Sequence, residues 1–218
     1  MRHLPYLRVF QMRLTEEGRL IDYAALDALA QRLMAGRKAH LMREKGFIYR
    51  HGKRVMAGVI DLRQRITDDD SRDDALKIAG LFHDVGKGIE PHARSGAALV
   101  LELLGDLLAP ALLREVAALI VEHTNHRTDD PFAKILQDAD ALDHFGTIEI
   151  GLSFQYGAYN EEGIDAALSW YQQEYLPYTA RVRERIKYKE SLAIYDDKVA
   201  FTRQFIERLL TEAAGRYA

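Results

Sequence analysis

A histidine followed directly by an aspartate, His83-Asp84, stands at the end of a stretch with helical hydrophobic periodicity. Leu76, Ala79 and Phe82 recur at the spacing of one helix face, and His83 falls on the same side, seven residues after Leu76. Burying a lone carboxylate is costly unless a cation or hydrogen-bond donors compensate it. Because imidazole and carboxylate are both metal ligands, the pair indicates either a metal site or a solvated acid beside an ordinary half-buried histidine.

Three more polar residues are predicted to point inward from other helices. His51 lies on an apolar helix face, Asp140 follows Leu136 by four residues, and His123 follows Ile120 by three. An inward histidine is more often a hydrogen-bonded core residue than a ligand, whereas an inward aspartate is rarer. Binding to a shared metal ion would explain why four helices each present an imidazole or a carboxylate inward.

The elements expected to position these residues are helical. The hydrophobic pattern predicts helices over 22–37, 49–66, 73–84, 95–104, 110–123 and 132–145, an aromatic helical region over 148–195, and a last helix over 196–216. Residues 4–14 form either a strand or an irregular arm, and no alternating strand pattern follows residue 20. We predict an all-α fold with an N-terminal arm and helix (1–45), a helical core (46–150) and a C-terminal helical extension packed on the core (151–218).

Composition narrows the class of protein. The chain has 218 residues, of which 48% are hydrophobic and 29% charged, and its net charge is -3, so no basic field indicates binding to nucleic acid or an anionic membrane. The absence of cysteine excludes disulfides, thiolate zinc sites and a cysteine nucleophile. No apolar run has the length of a membrane span, and the first residues lack the apolar core of a signal peptide, so we expect a cytoplasmic protein.

The order of these residues resembles the HD-domain superfamily of metal-dependent phosphohydrolases, most closely its small bacterial hydrolases. The resemblance covers roughly residues 49–146 and rests on three motifs: His51 followed by Arg54-Val55, His83-Asp84-Val-Gly-Lys87, and Ala139-Asp140. It implies an HD-domain helical bundle in which His51, His83, Asp84 and Asp140 bind a divalent metal ion, with Asp84 placed to bridge to a second. The expected cofactor is one or two ions of Mn, Co, Ni, Mg, Zn or Fe per chain.

Two more histidines match superfamily members that bind two metal ions. His92 precedes a helix and His123 ends one, and in such relatives these histidines bind the second ion. In single-metal relatives polar residues in this region contact phosphate, so both interpretations stay open. The eight-residue gap between Asp84 and His92 is short for direct ligation by His92. Lys87 is expected to contact a phosphate oxygen, and Arg94 is a weaker candidate of the same kind.

Asp143 shares a helix face with Asp140, so it either orients a ligand or a metal-bound water or is an acid on the helix surface. Four other histidines have no support from the motif: His126, which is expected in a loop, and His3, His40 and His144.

The resemblance implies a phosphohydrolase in which metal-activated water cleaves a phosphomonoester or phosphodiester of a nucleotide or related small molecule. Asp84, Lys87, His92 and His123 would supply the catalytic groups, by charge stabilisation or protonation of the leaving oxygen. The aromatic segment 154–195 is expected either to pack helices together and form a homodimer face, or to form a lid or base-stacking wall over the site. A di-iron HD-type oxygenase and a non-catalytic metal- or nucleotide-binding sensor are the alternative functions.

Overall fold

The computed structural model describes residues 20–38 and 44–217, and this part of the chain contains ten α-helices and no strand. In chain order they are α1 (Tyr23–Met34), α2 (Phe47–Ile66), α3 (Asp73–Phe82), α4 (His92–Leu103), α5 (Pro110–Glu122), α6 (Pro131–Asp143), α7 (Thr147–Tyr159), α8 (Ile164–Gln173), α9 (Tyr175–Arg183) and α10 (Lys189–Ala213). The predicted all-α fold is confirmed. The predicted arm over residues 4–14 lies outside the described residues, as do His3 and His40.

A local sequence signal accounts for the start of α1. Asp22 caps this helix, since its carboxylate accepts the backbone N–H of Ala25 at 2.9 Å. The sequence predicts that α4 begins at residue 95, whereas it begins at His92. Ser95 lies inside α4, and its hydroxyl donates to the carbonyl of Ile89 at 2.6 Å. The earlier start matters because it places His92 in the first turn of α4.

Helices α2 and α3 cross at the centre of the core, and glycine permits their close approach. A Cβ atom on Gly52 would lie 2.4 Å from the carbonyl oxygen of Leu81, and one on Gly80 would lie 3.0 Å from the backbone of α2. Any larger residue would push the helices apart. The crossing therefore brings His51, next to Gly52, close to the end of α3.

Helix α10 packs against α6 and α2, and it also contacts α7, α8 and α9, so it connects the C-terminal helices with the core. Asp138 of α6 is 1% exposed and accepts the backbone N–H groups of Lys187 at 2.9 Å and Tyr188 at 3.1 Å. These bonds attach the two residues immediately before α10 to α6. Helix α10 begins at Lys189, seven residues before the predicted position.

The C-terminal helices build a small hydrophobic cluster of their own. Its buried members are Leu168, Tyr171, Tyr175 and Ile206, from α8, α9 and α10. The division into a core and an extension stays a prediction, and its proposed boundary after residue 150 lies inside α7. No helix in the described residues combines the length and apolar composition needed to cross a bilayer.

Candidate metal centre

Four side chains that the sequence predicts as ligands of one ion meet where α2, α3 and α6 adjoin. His51 Nε2 lies 3.1 Å from His83 Nε2 and 3.0 Å from Asp140 Oδ1. His83 Nε2 lies 3.6 Å from Asp140 Oδ1 and 3.9 Å from Asp84 Oδ2. Donors bonded to one ion at about 2.1 Å each are about 3.0 Å apart at a right angle and about 4.2 Å apart when opposed. All four distances fall in this range, and a donor atom of Asp84 lies within 4.8 Å of those of both His51 and His83, so the arrangement suits a shared cation.

The tautomers of three histidines leave the lone pairs on Nε2. His83 Nδ1 donates to the carbonyl of Gly80 at 2.9 Å, and His123 Nδ1 donates to that of Ile120 at 2.5 Å. His51 Nδ1 faces a carboxylate oxygen at 2.7 Å. With both Nδ1 atoms used as donors, the Nε2 lone pairs of His51 and His83 face each other at 3.1 Å. Two lone pairs so placed repel unless a proton or a metal ion lies between them, which supports the fit of a cation.

The carboxylate that orients His51 belongs to Asp143. Its Oδ2 contacts His51 Nδ1, and it also accepts two hydrogen bonds from Arg54, from Nε at 2.7 Å and from Nη2 at 2.8 Å. Such a carboxylate–histidine pair fixes the ring and raises the basicity of the nitrogen that faces the metal. Of the two interpretations of Asp143, the geometry favours a group that orients a ligand.

A second set of donors lies on the other side of Asp84. The Oδ1 atom of Asp84 lies 3.7 Å from His92 Nε2 and 4.0 Å from His123 Nε2, and Oδ2 faces His83. The imidazole rings of His92 and His123 meet edge to face at 5.3 Å. The carboxylate is thus placed between two groups of donors, each close enough to hold an ion. Binding of a second ion by His92 and His123 stays a prediction.

The loop after Asp84 is packed tightly against α4, and this packing overcomes the short sequence gap to His92. A Cβ atom on Gly86 would lie 2.3 Å from the carbonyl oxygen of His92, so only glycine fits there. Arg37, beyond the end of α1, donates to the carbonyl of Val85 at 2.7 Å and to that of Lys87. No local sequence pattern indicates this role for Arg37, because it depends on a contact 48 residues away.

Lys87 and Arg94, the two predicted phosphate-contacting residues, differ in their exposure and surroundings. Lys87 Nζ lies 3.1 Å from Asp84 Oδ1, and its side chain is 32% exposed. Arg94 lies on the exposed side of α4, and His126 is exposed in the loop between α5 and α6. Lys87 is therefore the cation that the structure places beside the predicted ligands.

The electrostatics of the cluster keep the carboxylates of Asp84 and Asp140 ionised and the imidazole of His123 neutral. These are the protonation states in which such groups bind a metal ion. Burial raises the pKa of Asp140, but contacts with the surrounding imidazoles outweigh it and hold the pKa well below its usual range. Burial also raises the pKa of Asp84, but the charge of His83 outweighs that effect and lowers the pKa. Burial and His83 lower the pKa of His123 to about 4. For His51, burial is outweighed by the two carboxylates that it contacts, which raise its pKa to about 9, so metal binding there displaces a proton.

A pocket of about 660 Å³ adjoins the cluster. Tyr156, Trp170 and Tyr178 of the aromatic segment line it, together with His144. His144 also belongs to the metal-facing cluster, because its Nε2 atom lies 3.7 Å from Asp140 Oδ1. The motif did not single out His144, although its position four residues after Asp140 on one helix was a usable signal.

Residues 48–144 match the family model of the HD domain. Residues 48–144 therefore contain an HD domain, as the motifs of the sequence predict.

Solved structures with the same fold span nearly the whole chain. YpgQ of Bacillus subtilis in complex with ADP is 18% identical with a TM-score of 0.62, and the match covers 87% of this chain and 96% of YpgQ. An HD-superfamily hydrolase from Bacillus thuringiensis is 19% identical with a TM-score of 0.66, covering 88% of this chain and 97% of that one. A predicted HD superfamily hydrolase from an uncultured Thermotogales bacterium is 22% identical with a TM-score of 0.62, covering 87% and 92%. A search of curated proteins found no match.

Proposed function

We propose that the protein is a metal-dependent phosphohydrolase that cleaves a phosphomonoester or phosphodiester of a nucleotide or a related small molecule. The observation that carries the proposal is the convergence of His51, His83, Asp84 and Asp140 at distances that suit ligands of one ion. A divalent cation held there would lower the pKa of a bound water and neutralise the charge that develops on a phosphoryl group.

The chain supplies further groups for binding phosphate and moving a proton. The ammonium of Lys87 is partly exposed beside Asp84 and can reach a phosphate oxygen as a point charge. The side chain of His92 is 20% exposed, so it can meet a leaving oxygen and protonate it. The side chain of His123 is only 2% exposed, and its Nε2 is better placed as a ligand than as a contact to substrate.

Two observations support a nucleotide as the substrate. The pocket beside the metal centre has three aromatic walls, on which a planar base can stack, and its volume of about 660 Å³ suits a small molecule. In addition, YpgQ, which shares the fold, has been solved in complex with ADP. The base would occupy the aromatic pocket, and the phosphate would face the metal ligands and Lys87.

The test is a phosphatase assay on protein purified without chelator, with elemental analysis of the same sample. We expect cleavage of a generic aryl phosphate or of some nucleotide in the presence of Mn²⁺, Co²⁺, Ni²⁺ or Mg²⁺. The Asp84→Ala variant should lose this activity. Asp61→Ala is the matched control, since Asp61 is an exposed acid that pairs only at the surface of α2, with Arg65.

The outcomes separate the candidate functions. An Asp84→Ala variant that turns over as fast as the wild type would refute the proposal. Iron in the purified protein with oxygen-dependent turnover would indicate the oxygenase, and metal or nucleotide binding without turnover would indicate the sensor.

A further inference from the structure

His144 ends α6 and lies one turn beyond Asp140. Its Nε2 atom is 3.7 Å from Asp140 Oδ1, and its side chain is 33% exposed because one side faces the pocket. The nitrogen is too far from the carboxylate for a hydrogen bond, but the distance lies within the range of about 3.0–4.2 Å expected for two ligands of one ion.

Three imidazole nitrogens converge on the same carboxylate oxygen. Asp140 Oδ1 lies 3.0 Å from His51 Nε2, 3.6 Å from His83 Nε2 and 3.7 Å from His144 Nε2. The first two of these nitrogens belong to the predicted ligand set. His144 therefore presents the same atom type to the same carboxylate oxygen, from the side of the cluster that borders the pocket.

Packing holds the His144 ring in this position. Its centroid lies 4.8 Å from that of the His51 ring, at an interplanar angle of 38°, and 6.1 Å from that of Phe47, at 29°. A ring packed against a ligand and an aromatic side chain has fewer orientations to lose when it binds a cation.

We propose that His144 is a further ligand of the ion held by His51, His83, Asp84 and Asp140. This position then has three imidazole and two carboxylate donors. Imidazole suits Fe, Co, Ni and Zn, whereas Mg²⁺ prefers oxygen donors. The inference rests on the metal centre of the proposed function and adds a third imidazole donor, which favours binding of a first-row transition metal over magnesium.

The experiment uses metal-free protein titrated with Co²⁺, whose visible absorption reports the number and type of its ligands. His144→Ala should bind Co²⁺ at least about tenfold more weakly than the wild type and with altered absorption bands, as expected when one ligand is lost. His126→Ala, which removes an exposed histidine in the loop between α5 and α6, should behave like the wild type. The wild type should bind Mg²⁺ more weakly than Co²⁺, and the loss in His144→Ala should be confined to Co²⁺.

A structural role for His144 is distinguished in two ways. Metal-free His144→Ala should unfold in urea at the wild-type midpoint, and free imidazole should restore the Co²⁺ spectrum of His144→Gly by entering from the pocket. Wild-type affinity and spectrum in His144→Ala, or a loss that follows a lowered urea midpoint and that imidazole does not rescue, would overturn the proposal. Metal binding without phosphatase activity would refute the proposed reaction and leave this inference standing.

Discussion

Replacing Asp143 by asparagine is expected to weaken metal binding without removing a ligand. The carboxylate holds His51 Nδ1 at 2.7 Å and is itself held by two hydrogen bonds from Arg54. Asparagine keeps the size of the side chain and loses its charge, so the His51 ring is less firmly oriented and its Nε2 is less basic. Loss of such a partner typically lowers metal affinity by about 10- to 100-fold. That range corresponds to about 1.4–2.7 kcal/mol of binding free energy.

The assay is competition for Co²⁺ or Zn²⁺ between metal-free protein and a chromophoric chelator at fixed pH. Asp61→Asn serves as the control, because it removes an equal charge from an exposed position on α2. The urea midpoints of the metal-free proteins are compared as well, so that a change in folding is separated from a change in binding. A dissociation constant for Asp143→Asn within twofold of the wild type would show that the 2.7 Å contact does not support a ligand.

Three further predictions concern stability. Burial raises the pKa of Glu149 to about 7 from 4.5, so the folded state binds its proton more tightly and stability falls as pH rises between these values. Glu149→Gln should therefore exceed the wild type by up to about 3 kcal/mol in urea unfolding at pH 8, with the difference disappearing near pH 4. Gly86→Ala should cost about 1–3 kcal/mol through overpacking, whereas Gly58→Ala, whose Cβ would have its nearest neighbour at 4.0 Å, should not lower the thermal midpoint. Arg63→Ala should cost about 3–5 kcal/mol, because it leaves Asp73 buried at 4% exposure without its paired charge.

Periodicity was sufficient to predict that three histidines face inward. His51, His83 and His123 are each at most 4% exposed, and each shares a helix face with buried apolar residues. Their burial follows from the 3.6-residue repeat alone, which is a local property of the sequence. The all-α class follows for the same reason.

The positions of His92 and His144 depend on contacts between helices, which periodicity does not contain. His92 reaches Asp84 because α4 begins three residues earlier than its sequence indicates and because Gly86 admits α4 at short range. His144 lies beside His51 only because α6 packs against α2. The aromatic pocket likewise requires the arrangement of α7, α8 and α9, and no single segment of the sequence encodes it.

The positions of His83 and His123 at the ends of α3 and α5 also affect the electrostatic potential of the site. His83 and His123 are the C-cap residues of these helices, so the carboxyl-terminal ends of both helices face the predicted metal position. Each such end carries the equivalent of roughly half a negative charge, which falls off within one turn. The backbone alone therefore gives this point of the fold a negative electrostatic potential, before any side chain is ionised. A protein in which Asp84 is neutralised should therefore still attract cations weakly to the same place.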